Sequence, residues 1–174
     1  MPGRSERSRV AYLGLGGNIG NPRRQMAQAI ALLDAHPEIA VEAVSALYAT
    51  PPWGKLDQPD FLNAALRIST RLNANSLLEV CLETEKALLR ERRERWGPRL
   101  IDIDILLIEG EVVEEQDLQI PHLRLQERLF ALLPLRDVAG DVILRDKPLS
   151  GWISSLDGEG IRRDDNLDWW REEN

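Results

Sequence analysis

The chain has 174 residues, 43% of them hydrophobic, with 22 Lys+Arg against 29 Asp+Glu and a net charge of -7. That length suggests one domain, and that apolar fraction supports a core and excludes wholesale disorder. The acidic balance argues against a general nucleic-acid binder, and a lone cysteine, Cys81, excludes an internal disulfide.

The N-terminal MPGRSERSR is charged and lacks an apolar h-region, so it does not read as a secretory signal. Residues 1–9 are expected to form a disordered arm. Val10 to Leu15 reads as a first strand ended by Gly16-Gly17-Asn18, and Asn21-Pro22 as a helix start with Asn as cap. Met26, Ile30 and Leu33 carry a helical stripe to about Ala35. Ile39 to Ala49 reads as one strand, with Val41, Ala43, Ser45 and Leu47 on one face. A loop rich in Pro and Gly, Thr50 to Asp60, leads to a strand from Phe61 to Thr70. Ser76 and Glu79 fit a capping box opening a helix to about Arg90, with Leu77, Cys81 and Leu88 on its apolar side. A basic loop follows, then a strand from Leu100 to Ile108. Glu109-Gly110 suits a tight hairpin turn into Val112-Val113. Leu125 to Val138 reads as helical, disturbed at Pro134. Val142 to Leu144 suits a short strand, and Leu149 to Leu156 a short helix. The order β-α-β-β-α-β predicts an α+β, ferredoxin-like sandwich with two helices on one face of an antiparallel sheet. The main domain is expected at 10–156, followed by an acidic tail at 157–174 whose Trp169 and Trp170 need somewhere to dock.

Charge is unevenly spread. Between Lys86 and Arg99 six basic residues face two acidic ones, whereas from Asp157 onward seven acids face three arginines. A basic patch in an acidic protein suits a small polyanion such as a nucleotide. Beyond that patch, RWGPRLIDIDILLI (residues 95 to 108) places two aspartates inside an apolar run. Strand alternation puts Ile101, Ile103 and Ile105 on one face and Asp102 and Asp104 on the other, the carboxylates about 6–7 Å apart. Two readings compete for such a D-x-D. The acids are solvated or paired with Arg95 and Arg99, or they hold divalent cations that relieve their repulsion. Arginines 90, 92, 95 and 99 just upstream favour the second, because a phosphate chain fits between arginines and metal. No Walker A sequence is present, and Gly14 to Gly20 is not G-x-G-x-x-G, so those glycines read as a close-approach turn.

The segment R-W-G-P-R-L-I-D-I-D-I-L resembles the signature of the 6-hydroxymethyl-7,8-dihydropterin pyrophosphokinases of folate biosynthesis. AYLGLGGNIG, ATPPWG, DQPDFLNAAL, IPH and R-L-F-A-L-L-P-L resemble further blocks of that family, in its order, from about Val10 to Leu149. The resemblance implies an ATP-dependent diphosphokinase that moves the β,γ-pyrophosphoryl group of ATP to the pterin hydroxymethyl oxygen and releases AMP. It implies two Mg²⁺ ions on Asp102 and Asp104, with Arg90 and Arg99 as the other catalytic groups. Glu85, Arg92, Trp96, Ile105, His122 and Arg128 would serve ATP. Thr50, Pro51, Pro52, Trp53, Phe61, Asn63 and Phe130 would serve the pterin, a flat heterocycle suited to aromatic stacking. Each has a plainer reading. His122 could cap a turn, Phe130 could be helix core, and Phe61 could be sheet packing. Asn63, by contrast, interrupts a strand where an unpaired amide is costly. Leu82, Asp117 and Leu123 depart from the residues often found near the nucleotide. The expected partners are ATP and the pterin alone, with no nucleic acid and no membrane, in a cytoplasmic monomer. A metal- and nucleotide-sensing module without catalysis, and a nucleotidyl transferase releasing pyrophosphate, are the alternatives.

Overall fold

The computed structural model describes residues 7–52, 57–92 and 101–171, except the side chains of residues 90–92. The expectations for residues 1–6 of the arm, for Trp53, Trp96 and Arg99, and for the side chains of Arg90 and Arg92 therefore lie outside the described residues.

The sheet is organised by β4 (Phe61–Thr70). Along one edge it pairs antiparallel with β1 (Arg9–Gly17), from Arg9 opposite Thr70 to Gly17 opposite Leu62. Its other edge takes β2 (Ile39–Val44) and then β3 (Tyr48–Thr50). The far edge of β1 takes β5 (Asp102–Ile108), also antiparallel. Two helices, α1 (Pro22–Ala35) and α2 (Ala74–Arg92), make the crossovers. This is the expected ferredoxin-like order. α1 starts where its sequence says, with the Asn21 side chain accepting the Arg24 N–H at 3.2 Å and Pro22 in the first turn.

Strand alternation gives the sheet two apolar faces. Ala11, Leu13 and Leu15 of β1, Leu66 and Ile68 of β4, and Ile103 and Ile105 of β5 are buried with Met26, Ile30, Leu77 and Cys81 of the helices. The opposite face presents Tyr12, Ala65 and Leu106 to a second cluster formed by Leu125, Leu132, Leu135, Leu144 and Leu149. The main contributor there is α3 (Leu129–Ala139), followed by the small hairpin β8 (Ile143–Leu144) and β9 (Lys147–Pro148), and α4 (Leu149–Ser154). Helices thus cover both faces.

Burial also fixes the chemistry of Cys81. Desolvation, with Glu85 and Asp104 adding negative potential, pushes its thiol up to about 12. A thiol that does not ionise does not attack. Native protein at pH 8 should leave Cys81 unmodified by a water-soluble disulfide reagent, with reaction on denaturation. Rapid native labelling would contradict the packing of α2.

Several expected boundaries move for identifiable reasons. β1 begins at Arg9 and runs through Gly17. The second strand breaks in two at Ser45, whose N–H still donates to the Ala65 carbonyl at 2.9 Å but whose side chain takes over the return bond. Its buried Oγ donates to the Ala46 carbonyl and accepts the Ala65 N–H, while the Ala46 N–H turns to Asp137. A shift between Val41 and Ala43 changes the phase, so Val41, Val44 and Leu47 face the helices in place of the expected set. α2 starts at Ala74, two residues before the expected capping box, because the Asn73 side chain accepts the Ser76 N–H at 2.9 Å. Glu109-Gly110 does turn, with Gly110 at φ +74, but the hairpin beyond it is β6 (Val113–Glu115) with β7 (Leu118–Ile120). The third helical stretch is interrupted at Arg128, after a 3-10 turn at Leu125–Glu127, while Pro134 sits buried inside α3. Beyond residue 157 the chain packs on the sheet: β10 (Arg162–Arg163) pairs with β3, and Trp169 is buried.

Candidate active site

The face of the sheet under α3 is apolar near Tyr12 and open further along β1. Gly16 lies opposite Asp102 and Gly14 opposite Asp104. On its other side Gly16 lies opposite Asn63 of β4. One row across three strands therefore runs Asn63, Gly16, Asp102, with its ends two strand spacings, or about 10 Å, apart. Side chains at the glycines would close this floor. A Cβ at Gly16 would lie 2.9 Å from Asn63 Oδ1, and one at Gly14 only 3.2 Å from Leu106. Of the glycines read as a turn in the sequence, Gly14, Gly16 and Gly17 are strand residues, while Gly20, at φ +71, lies in the bend after β1; the close approach that Gly14 and Gly16 permit is to neighbouring side chains.

A cavity of about 550 Å³ stands on this floor. Asp102, Asp104, His122 and Arg128 line the β5 side, and Thr50, Phe61, Asn63 and Phe130 the β4 side. The two aspartates point away from the isoleucines as alternation requires, and both are exposed. The bulge that places Leu106 and Leu107 between Ile105 and Ile108 restores the apolar face after the acids. His122 is held beside β5 by its backbone N–H, which donates to the Leu106 carbonyl at 2.9 Å. Burial lowers the pKa of its imidazole, Asp104 pulls it upward and Arg128 lowers it further. The net shift favours the neutral ring over the imidazolium. The Arg124 N–H approaches Nδ1 at 3.5 Å, which favours the proton on Nε2. The Arg128 guanidinium lies 5.8 Å from the Phe130 ring centroid, a cation–π arrangement that joins the charged and aromatic sides.

Four expected site residues do not line the cavity. The Ile105 side chain is buried in the opposite, helix-side core, so only its backbone could face a nucleotide. Glu85 is buried, and its Oε2 accepts the Ile103 N–H at 2.7 Å, anchoring the start of β5 to α2. Pro51 is exposed and Pro52 half-buried, and neither lines the cavity. Leu82, Asp117 and Leu123 are exposed and absent from the lining. Sequence reasoning missed Asn18 and Arg124, both of which line it. Asn18 is buried, and its amide donates to Gln58 Oε1 at 3.1 Å. A polar residue ending a glycine run was its signal; for Arg124 it was the four-residue spacing to Arg128.

Among the described residues no group of three or more His, Cys, Asp or Glu is placed to hold a metal ion. The aspartate pair is a hard, all-oxygen donor set. It fits Mg²⁺, which typically takes one or two carboxylates and completes its shell with water and substrate phosphates.

The chain matches the family described as 7,8-dihydro-6-hydroxymethylpterin-pyrophosphokinase (HPPK) over residues 12–140. It belongs to that family. It is similar to the 2-amino-4-hydroxy-6-hydroxymethyldihydropteridine pyrophosphokinase of Methylorubrum extorquens, at 49% identity over 88% of this chain and 97% of that protein. It is also similar to the Bacillus subtilis protein of the same name, at 43% identity over 88% of this chain and 89% of that protein. Among solved structures, a crystal structure of Plasmodium falciparum HPPK-DHPS superposes with a TM-score of 0.69 and 18% identity, over 87% of this chain and 46% of that one. At that identity the likeness supports the fold alone. The HPPK match spans every cavity-lining residue named above, from Gly14 to Phe130.

Proposed function

We propose that this chain transfers the terminal diphosphate of ATP to 6-hydroxymethyl-7,8-dihydropterin, releasing AMP, as a step of folate synthesis. One observation carries the assignment within the HPPK family: a carboxylate pair and an aromatic pair open into the same cavity. The pterin ring lies between Phe61 and Phe130, with the Asn63 amide and the Thr50 segment on its polar edge. The triphosphate lies over the β5 side, reached by Arg128 and by the Nε2–H of the neutral His122. By the family resemblance, Arg90, Arg92 and Arg99 would add positive charge and Trp96 would serve the nucleotide. When bound, Mg²⁺ ions on Asp102 and Asp104, two by this reading, neutralise charge on the phosphate oxygens.

The pterin hydroxymethyl oxygen attacks the β-phosphorus. The new O–Pβ bond replaces the bond from Pβ to the bridging oxygen of AMP, the electron pair leaves on that oxygen, and the hydroxyl proton is released. No covalent help from the protein is needed; position and charge neutralisation supply the catalysis. The protein with ATP, Mg²⁺ and the reduced pterin alcohol should give AMP with no free pyrophosphate. ADP or released pyrophosphate would overturn the reaction, and unchanged ATP with folded protein would favour a sensor. Chelation should stop turnover without unfolding, because two carboxylates alone do not make a structural metal site. Full activity in excess chelator would remove the metal from the mechanism.

A further inference from the structure

The segment after α4 crosses to the far edge of the sheet and touches the cavity walls from behind. Arg162 and Arg163 pair with Ala49 and Tyr48 of β3, and the Asp164 N–H donates to the Leu47 carbonyl at 2.8 Å. Trp169, 1% exposed, donates its indole N–H to the Ser45 carbonyl at 2.9 Å. A buried-side network completes the attachment: the Tyr48 hydroxyl donates to Asp137 and accepts from Arg163 Nε at 3.2 Å. These contacts cover a sheet edge that would otherwise be open.

Three other contacts do something more specific. Gly160, at φ +83, lies so close to Pro51 that a Cβ there would sit 2.7 Å from its ring. Arg162 forms an ion pair with Asp60 at 2.5 Å. A Cβ at Gly158 would lie 3.1 Å from the Leu129 side chain. Pro51, Asp60 and Leu129 are the immediate chain neighbours of Thr50, Phe61 and Phe130, which line the aromatic side of the cavity. One short segment thus bears on the neighbour of each of three wall residues, which come from β3, β4 and α3. It lies beyond the 12–140 family match.

We infer that residues 157–171 form a positioning strap that sets the spacing of the aromatic walls and so the grip on the flat heterocycle. This rests on the reading of Phe61 and Phe130 as the pterin site. Two of its contacts, at Pro51 and Asp60, adjoin the aromatic side alone, while Leu129 adjoins both Phe130 and Arg128, so its influence falls on the pterin more than on ATP. Closely packed walls turn small shifts of Pro51 or Leu129 into lost stacking area.

The test uses the full-length chain carrying Gly160→Ala, Arg162→Ala or Arg162→Lys, with Phe130→Ala as a reference. The alanine at 160 pushes on Pro51 from a left-handed backbone position, while Trp169 and the Tyr48 network stay in place. Gly160→Ala should raise the KM for the pterin by about three- to tenfold and Arg162→Ala by about two- to fivefold. Both kcat and the KM for ATP should stay within about twofold, with Arg162→Lys recovering part of the loss. An unchanged pterin KM in both alanine variants, or an ATP KM that rises in step, overturns the strap. The reference variant separates two failures. If Phe130→Ala itself leaves the pterin KM unchanged, the aromatic site assignment is wrong. If Phe130→Ala raises it and the strap variants do not, only the strap is wrong.

Discussion

Asp102→Asn and Asp104→Asn should each lower kcat by about a thousandfold, or ~4 kcal/mol of transition-state stabilisation. The amide keeps the shape of the carboxylate and removes the charge that, on the proposed reading, would hold the cation. Either variant should fold, because both side chains are exposed and β5 is fixed by other means. Ile101, Ile103 and Ile105 bury its opposite face, and the Ile103 N–H is held by Glu85. Steady-state kinetics across a Mg²⁺ titration, with thermal melting as the control, checks this. A variant that melts normally and keeps near-parental turnover at ordinary Mg²⁺ would remove the metal role from that residue. A rate restored only at high Mg²⁺ would locate the loss in cation affinity.

The aspartate pair was legible because strand alternation leaves little choice. Once residues 102–108 form a strand with isoleucines inward, both acids must face the other way. The element order was legible for a similar reason, since β4 from Phe61 to Thr70 and α1 from Pro22 carry strong local signals. What the sequence hid depends on partners distant in the chain. The break at Ser45 is made by Ala65, 20 residues from Ser45, and by Asp137, 91 residues from the Ala46 it holds. Ile105 and Glu85 were placed at the nucleotide by resemblance, yet the same alternation that exposes Asp104 buries the Ile105 side chain. Gly14 and Gly16 looked like turn residues because their pattern carries no sign of the β4 and β5 side chains they face. Arg124 gave only a spacing signal, and that becomes meaningful once Arg124 and Arg128 line the same cavity as Asp104.

In the acidic segment after residue 157, seven acids in eighteen residues suit a polar tail, and the tryptophans that need somewhere to dock decide its energetics. Trp169→Ala should destabilise the protein by about 3–5 kcal/mol, the range for truncating a fully buried aromatic residue. The side chain joins the same apolar cluster as Leu13, Leu66 and Leu77, and its removal also leaves the Ser45 carbonyl without the indole donor. For a chain of this length that is a fall in Tm of about 6–20 °C. Trp169→Phe should cost less, keeping most of the apolar contact and losing the hydrogen bond. The charged residues around it would change little, since Asp164, Asp165 and Asp168 are exposed and such pairs contribute little. Denaturant unfolding of both tryptophan variants decides the matter. A free tail predicts no change from Trp169→Ala, so a loss below about 1 kcal/mol would detach the segment from the sheet. If the full loss is seen, Trp169→Ala should also weaken pterin binding at temperatures where the protein remains folded, because Trp169 anchors the segment that bears on Pro51 and Leu129.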